Sequence, residues 1–123
     1  RLASTRWGPL LGGSAVGEWF EPVRRDVEDV VLKAIAVGAP LALEANDPAL
    51  AEALGELGRR IDPWAEAPQA IVIEARAAQG DRDGARRALL ALTDSMRRLG
   101  LEPSIETMRM ATRAGLGPAW LSL

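Results

Sequence analysis

The chain has 123 residues, enough for one domain that buries roughly two-thirds of its unfolded surface, and a net charge of −2 from 15 basic and 17 acidic side chains. It has no Cys and no His, which excludes disulfides, thiol nucleophiles, Ser-His-Asp triads and the common zinc sites. Ala occurs 22 times and Leu 17 times, aromatics make up 4% and Tyr is absent, so an all-α domain is expected rather than a β-sandwich or barrel.

In chain order, residues 1–21 read as a connector. Gly8, Pro9, Gly12 and Gly13 break helices there, and Trp7, Trp19 and Phe20 are expected to pin the segment down. The chain opens with Arg1 rather than Met and reads as a domain cut from a longer protein. A first helix is predicted from Pro22, with Val23, Val27, Val30, Val31 and Ala34 as its core stripe. Gly38 and Pro40 predict a kink through which Leu41 and Ala45 continue that stripe. Asn46-Asp47-Pro48 predicts a turn and a second helix capped by Asp47, with Leu50, Leu54, Leu57 and Ile61 inward. Asp62-Pro63 ends it. A third helix is predicted from Trp64 to Gln79, closed by Gly80.

The fourth helix is predicted from Asp83, as N-cap, to Gly100, burying Ala85, Ala88, Leu89, Leu92, Met96 and Leu99. A short fifth helix follows Ser104 and fades by Gly115, leaving 115–123 as a tail in which Trp120 and Leu121 can dock. The helical domain is thus placed at 22–114. No apolar run approaches the length of a membrane span, and no signal peptide is evident, so a cytoplasmic location is expected.

Spacing suggests a repeat. Asn46 and Gly80 mark turns 34 residues apart, and Ala51 and Ala85 fall early in the following helices at the same interval. Leu54 matches Ala88, while Leu57 is one residue out of step with Leu92. A 34-residue period of paired helices is the tetratricopeptide signature. The predicted architecture is two helix pairs plus a capping helix, with small residues where helices pack closely.

Three segments carry a family likeness. Leu99-Gly100-Leu101-Glu102-Pro103-Ser104 followed by Glu106 looks like a closing segment, Pro63-Trp64-Ala65-Glu66 like the entry to a second helix pair, and Trp7-Gly8-Pro9-Leu10-Leu11 like a connector. Over roughly residues 5–114 the chain resembles the bacterial transcriptional activator domain, the tetratricopeptide-like module of SARP-type antibiotic regulators. The resemblance implies a right-handed helical repeat that scaffolds transcription by dimerising, docking on a DNA-binding domain or contacting transcription machinery. A winged-helix domain usually precedes such a module. Its strands and basic recognition helix are missing from this sequence, so specific DNA binding by this chain is not expected.

The candidate contact residues are Arg86, Arg87, Arg97 and Arg98. Arg86 and Arg97 are three helical turns apart, as are Arg87 and Arg98, opposite the apolar stripe. Such a stripe suits an acidic partner or a small anion. The structural alternative is a solvated face, with Arg98 paired to Asp94. Trp64 is the candidate groove residue, and its alternative is a core plug at a repeat junction. Asp81-Arg82-Asp83-Gly84 lacks the Glu that closes a calcium loop. No metal, cofactor or catalytic residue is predicted, and surface carboxylates such as Glu52 and Glu56 suggest no acid–base site. The expected function is therefore non-catalytic interaction within a transcription regulator. The alternatives are a general peptide-binding repeat and a nucleotide- or anion-sensing domain that uses the Arg stripe.

Overall fold

The computed structural model describes residues 14–117, with side chains from Glu21 onward. Among them are five helices and no strand: α1 (Ser14–Glu44), α2 (Pro48–Ile61), α3 (Glu66–Ala78), α4 (Arg82–Arg98) and α5 (Ile105–Arg113). The anchoring expected of Trp7, Trp19, Phe20, Trp120 and Leu121 lies outside the described side chains. Within α1 the chain divides into two units, residues 1–31 and 32–123.

In the first unit the helix already begins at Ser14, so part of the expected connector is helical. Pro22 thus lies inside the helix rather than in its first turn. Glu21 accepts a hydrogen bond from Arg24, and Arg25 lies 3.9 Å from Glu21. Val23, Val27 and Val30 are exposed, contrary to the stripe expected to face a core.

In the second unit α1 runs unbroken through Gly38 and Pro40. The amide that Pro40 lacks would have bonded the carbonyl of Ala36, a residue open to water. The buried line of α1 is Ile35, Ala39 and Ala42, whereas Ala34, Leu41 and Ala45 are exposed. The buried alanines of α1 meet an equally small residue of α2, Ala51. The expected Leu50 is exposed, and Leu54, Leu57 and Ile61 are only half-buried.

Glycine in α2 permits close approach to α3. A Cβ on Gly55 would lie 2.8 Å from Val72 Cγ2 and 3.1 Å from the Pro68 carbonyl oxygen. One on Gly58 would lie 2.9 Å from Pro68 Cβ. Pro68 is tolerated in α3 because it sits in the first turn, where an amide has no helical partner. A first core joins Ala39, Ala42, Ala51 and Ala75. A second joins Ile73, Ala85, Leu89 and Leu92 to Met110, Ala111 and Leu116.

Helix ends follow local rules. Asn46, Gly80, Gly100 and Gly115 adopt positive φ, and after each the next amide reaches back to a helix carbonyl: Asp47 to Ala42, Asp81 to Arg76, Leu101 to Met96, Leu116 to Ala111. Asp47 and Asp81 then cap α2 and α4 by accepting from the Leu50 and Gly84 amides. Asp81, not Asp83, is the cap, because it directly follows the left-handed Gly80. Asp83 lies inside the first turn, where its charge suits the helix dipole. Leu99, at the C-cap of α4, is exposed rather than buried. Residues 115–117 are not loose, since Leu116 is buried and the Arg82 guanidinium donates to the Gly115 carbonyl.

Buried positions recur at the predicted interval. Ala51 and Ala85, Gly55 and Leu89, and Gly58 and Leu92 are each 34 residues apart, and all six are buried. Gly58, not Leu57, is the counterpart of Leu92. On the preceding helices Ala39, Ile73 and Thr107 are buried at the same spacing.

Candidate interaction groove

A cavity of about 450 Å³ opens between the C-terminal half of α2, the loop at 62–65, α3 and the C-terminal half of α4. A second cavity of about 350 Å³ adjoins it through the shared residues Arg59, Gln69 and Ala91.

The loop sets the rim. Asp62 Oδ1 accepts from the Trp64 amide at 3.2 Å, which locks a tight turn ahead of α3. Trp64 is left 79% exposed. The core-plug alternative fails because Pro68, packed onto Gly58, already fills the junction of α2 and α3. Trp64 instead shares the rim with Leu99 and Leu101, both exposed. Leu92 and Met96 line the same cavity from α4. The Gln69 side-chain amide donates to the Pro63 and Ala65 carbonyls, 3.3 and 3.2 Å away, and so braces the loop.

Charge is distributed unevenly along these walls. Arg76 is clamped across α2 and α3 by Glu52 at 3.1 Å and Glu56 at 3.3 Å. Gln79 donates to the other Glu52 oxygen, 2.7 Å away, and Arg59 to the other Glu56 oxygen, 3.1 Å away. The two surface carboxylates thus hold an arginine. Sequence spacing did not reveal this network, because its partners are 20 and 24 residues apart on different helices. Arg60 lines the larger cavity and Arg87 the smaller, and among the described residues neither has a carboxylate within ion-pairing distance.

The four predicted arginines do not act together. Arg87 lines the smaller cavity, whereas Arg86, Arg97 and Arg98 line neither. Arg98 is paired with Asp94 at 2.8 Å, as its spacing predicts, Arg97 with Glu102 at 3.3 Å and Arg86 with Asp83 at 4.0 Å. Helical periodicity placed them on one side of α4, but neighbouring acids engage three of them.

Glu66 joins the two ends of the groove's frame. Its Oε2 accepts from the Ser104 amide at 2.9 Å and from the Thr107 hydroxyl. Burial alone would raise its carboxyl, but hydrogen bonds from Thr107 and Ser104 outweigh it and hold Glu66 below the usual glutamate range. Ser104 in turn caps α5 by accepting from the Thr107 amide at 3.2 Å. Among the described residues no cluster of acidic side chains is arranged to hold a metal ion, and no helix is long and apolar enough to cross a membrane.

No family model, curated protein or solved structure matches the chain.

Proposed function

We propose that the chain is a tetratricopeptide-like interaction module of a cytoplasmic bacterial transcription regulator. Its groove takes an acidic, apolar-anchored segment of a protein partner. The observation that carries this reading is the groove itself. An exposed Trp64, Leu99 and Leu101 line one cavity with Arg60, and Arg87 lines the cavity that adjoins it; neither arginine has a carboxylate partner of its own among the described residues. Exposed aromatic and arginine side chains are the residue types that dominate binding energy at protein interfaces. Arginine also grips carboxylates with two parallel hydrogen bonds.

Two further observations support the wider reading. Caps, left-handed turns and buried residues recur 34 residues apart in α1 to α4, as paired-helix repeats require. The entry segment with Glu66 and the closing segment with Ser104, which carry the family resemblance, meet in one hydrogen-bonded clasp. A general peptide-binding repeat uses the same groove. A winged-helix domain directly upstream in the parent chain distinguishes the transcription role from it.

The test isolates Trp64 as a fluorophore by changing Trp7, Trp19 and Trp120 to Phe. Synthetic peptides rich in Asp and Glu with Leu and Phe anchors are expected to shift its emission, with affinity falling as salt rises. Joint replacement Arg60→Ala and Arg87→Ala should weaken binding by roughly tenfold or more, while Arg98→Ala leaves it unchanged. Indifference to acidic peptides would defeat the proposal. A response to ATP or inorganic phosphate alone would select the anion-sensing alternative.

A further inference from the structure

The two adjoining cavities differ in lining and lie end to end along the same helices. Trp64, Leu92, Met96 and Leu99 make the larger one apolar, and Arg59, Arg76 and Arg87 make the smaller one cationic. The order of the lining residues fixes the axis. From the larger cavity to the smaller, α3 runs from Glu66 through Gln69 to Arg76, while α4 runs the opposite way, from Leu99 through Ala91 to Arg87. An occupant that fills both therefore lies along these helices, and the helical rise measures the distance between its two ends. Gln69 to Arg76 on α3 is about 10 Å, and Met96 to Arg87 on α4 is about 14 Å.

Cross-section selects the conformation of that occupant. About 450 Å³ spread along the roughly 12 Å of α4 from Ala91 to Leu99 leaves a channel of roughly 40 Å². A helix with its side chains is about 10–12 Å across and needs roughly twice that section. An extended chain takes about 4.8 by 10 Å in a packed sheet, close to the space present. At about 3.3 Å per residue, this distance is three or four residues of extended chain, against roughly seven to nine of helix. Charge selects what stands at the far end. Glu52 and Glu56 already hold Arg76, and Glu56 also holds Arg59, so Arg87 is the arginine of the smaller cavity with no carboxylate among the described residues.

We propose that the groove selects an extended chain in which an acidic residue stands about three or four positions from an apolar anchor, with the anchor in the cavity of Trp64, Leu92 and Met96 and the acid on Arg87. Arg60, on the wall of the larger cavity, then meets an acid next to the anchor. This specificity rests on the groove reading of the proposed function and adds to it the conformation and spacing of the occupant. Arg87 determines the spacing, because a planar guanidinium grips a carboxylate with two parallel hydrogen bonds only in a fixed geometry.

Isomeric peptides test it, with Trp64 as the sole tryptophan reporting binding. Each carries one Glu-Phe pair and one further Glu, placed about two to nine positions from Phe on either side, in a Ser-Asn background with blocked ends. Composition and net charge are then constant, so differences in affinity report geometry rather than general attraction. With the second Glu about three or four positions from Phe on one side, binding should be roughly tenfold tighter than at two, or at seven to nine. Arg87→Ala should bring these peptides down to the level of the others, while its unchanged melting temperature shows that the exposed side chain is not needed for folding. Equal affinity across the series overturns the spacing and leaves the groove standing. A preference for roughly seven to nine positions overturns the extended conformation in favour of a bound helix. A preference that survives Arg87→Ala overturns the assignment of the acid to that residue. Failure of every peptide to shift the emission defeats the groove reading itself, and this specificity with it.

Discussion

Helices α2 and α4 bury an alanine at the first of three corresponding positions and opposite materials at the other two. At the 34-residue interval, α2 offers Ala51, Gly55 and Gly58 where α4 offers Ala85, Leu89 and Leu92. The first set lets Pro68, Ile71 and Val72 of α3 come almost onto the α2 backbone. The second fills a wider space with large side chains shared with Met110 and Leu116. One pattern of burial therefore supports two modes of packing, by proximity or by volume. The mode predicts which substitutions harm each helix.

The largest effect is expected where volume carries the packing. Leu89→Ala removes a fully buried side chain from the second core and should cost about 2–5 kcal/mol in chemical denaturation. A loss under about 1 kcal/mol would mean that this core collapses freely around the gap.

At the matching position in α2 the harmful change is an addition. In an ordinary helix Gly→Ala stabilises by roughly 0.5–1 kcal/mol. At Gly55 the new Cβ meets Val72 and the Pro68 carbonyl oxygen, and overpacking costs about 1–3 kcal/mol. Gly55→Ala is therefore expected to lower the melting temperature. A raised one would dissolve the contrast between the two helices.

The smallest effect concerns the clasp between α3 and α5. Glu66 is held below its ordinary range in the folded state. Its contribution is therefore complete above the unfolded glutamate value, about pH 4.3, and is lost as pH falls through the lower folded value. Wild type should exceed Glu66→Gln by about 1 kcal/mol at neutral pH, and the gap should close on acidification. A gap that persists at low pH would assign the clasp's strength to shape rather than charge.

Much of the fold was legible because helix signals are local. Asp47, Gly80 and Ser104 mark ends through hydrogen bonds within a few residues, and each does so in the structure. Asp83 was mistaken for a cap because two acids flank Arg82, and only the left-handed Gly80 distinguishes them. The α1 stripe was misplaced for a different reason. Periodicity shows that Val23, Val27 and Val30 share a face, but not what that face meets.

The groove was less legible. Trp64 was singled out by type, yet its exposure depends on Pro68 occupying the junction beneath it, a contact made across two helices. Arg87 could not be told from Arg86, Arg97 and Arg98 until Asp83, Glu102 and Asp94 had taken those three.

The sequence by itself determined the all-helical class, five helices with most of their ends, and the 34-residue recurrence of the inter-helix turns and of Ala51 and Ala85, because these follow from backbone propensity and short-range hydrogen bonds. Tertiary structure alone decided which face of α1 is inward and that Trp64 stays exposed, because both depend on contacts between helices that no local pattern encodes. The arginines were sorted by acids three to five positions away, and sequence spacing marked only the Arg98–Asp94 pair in advance.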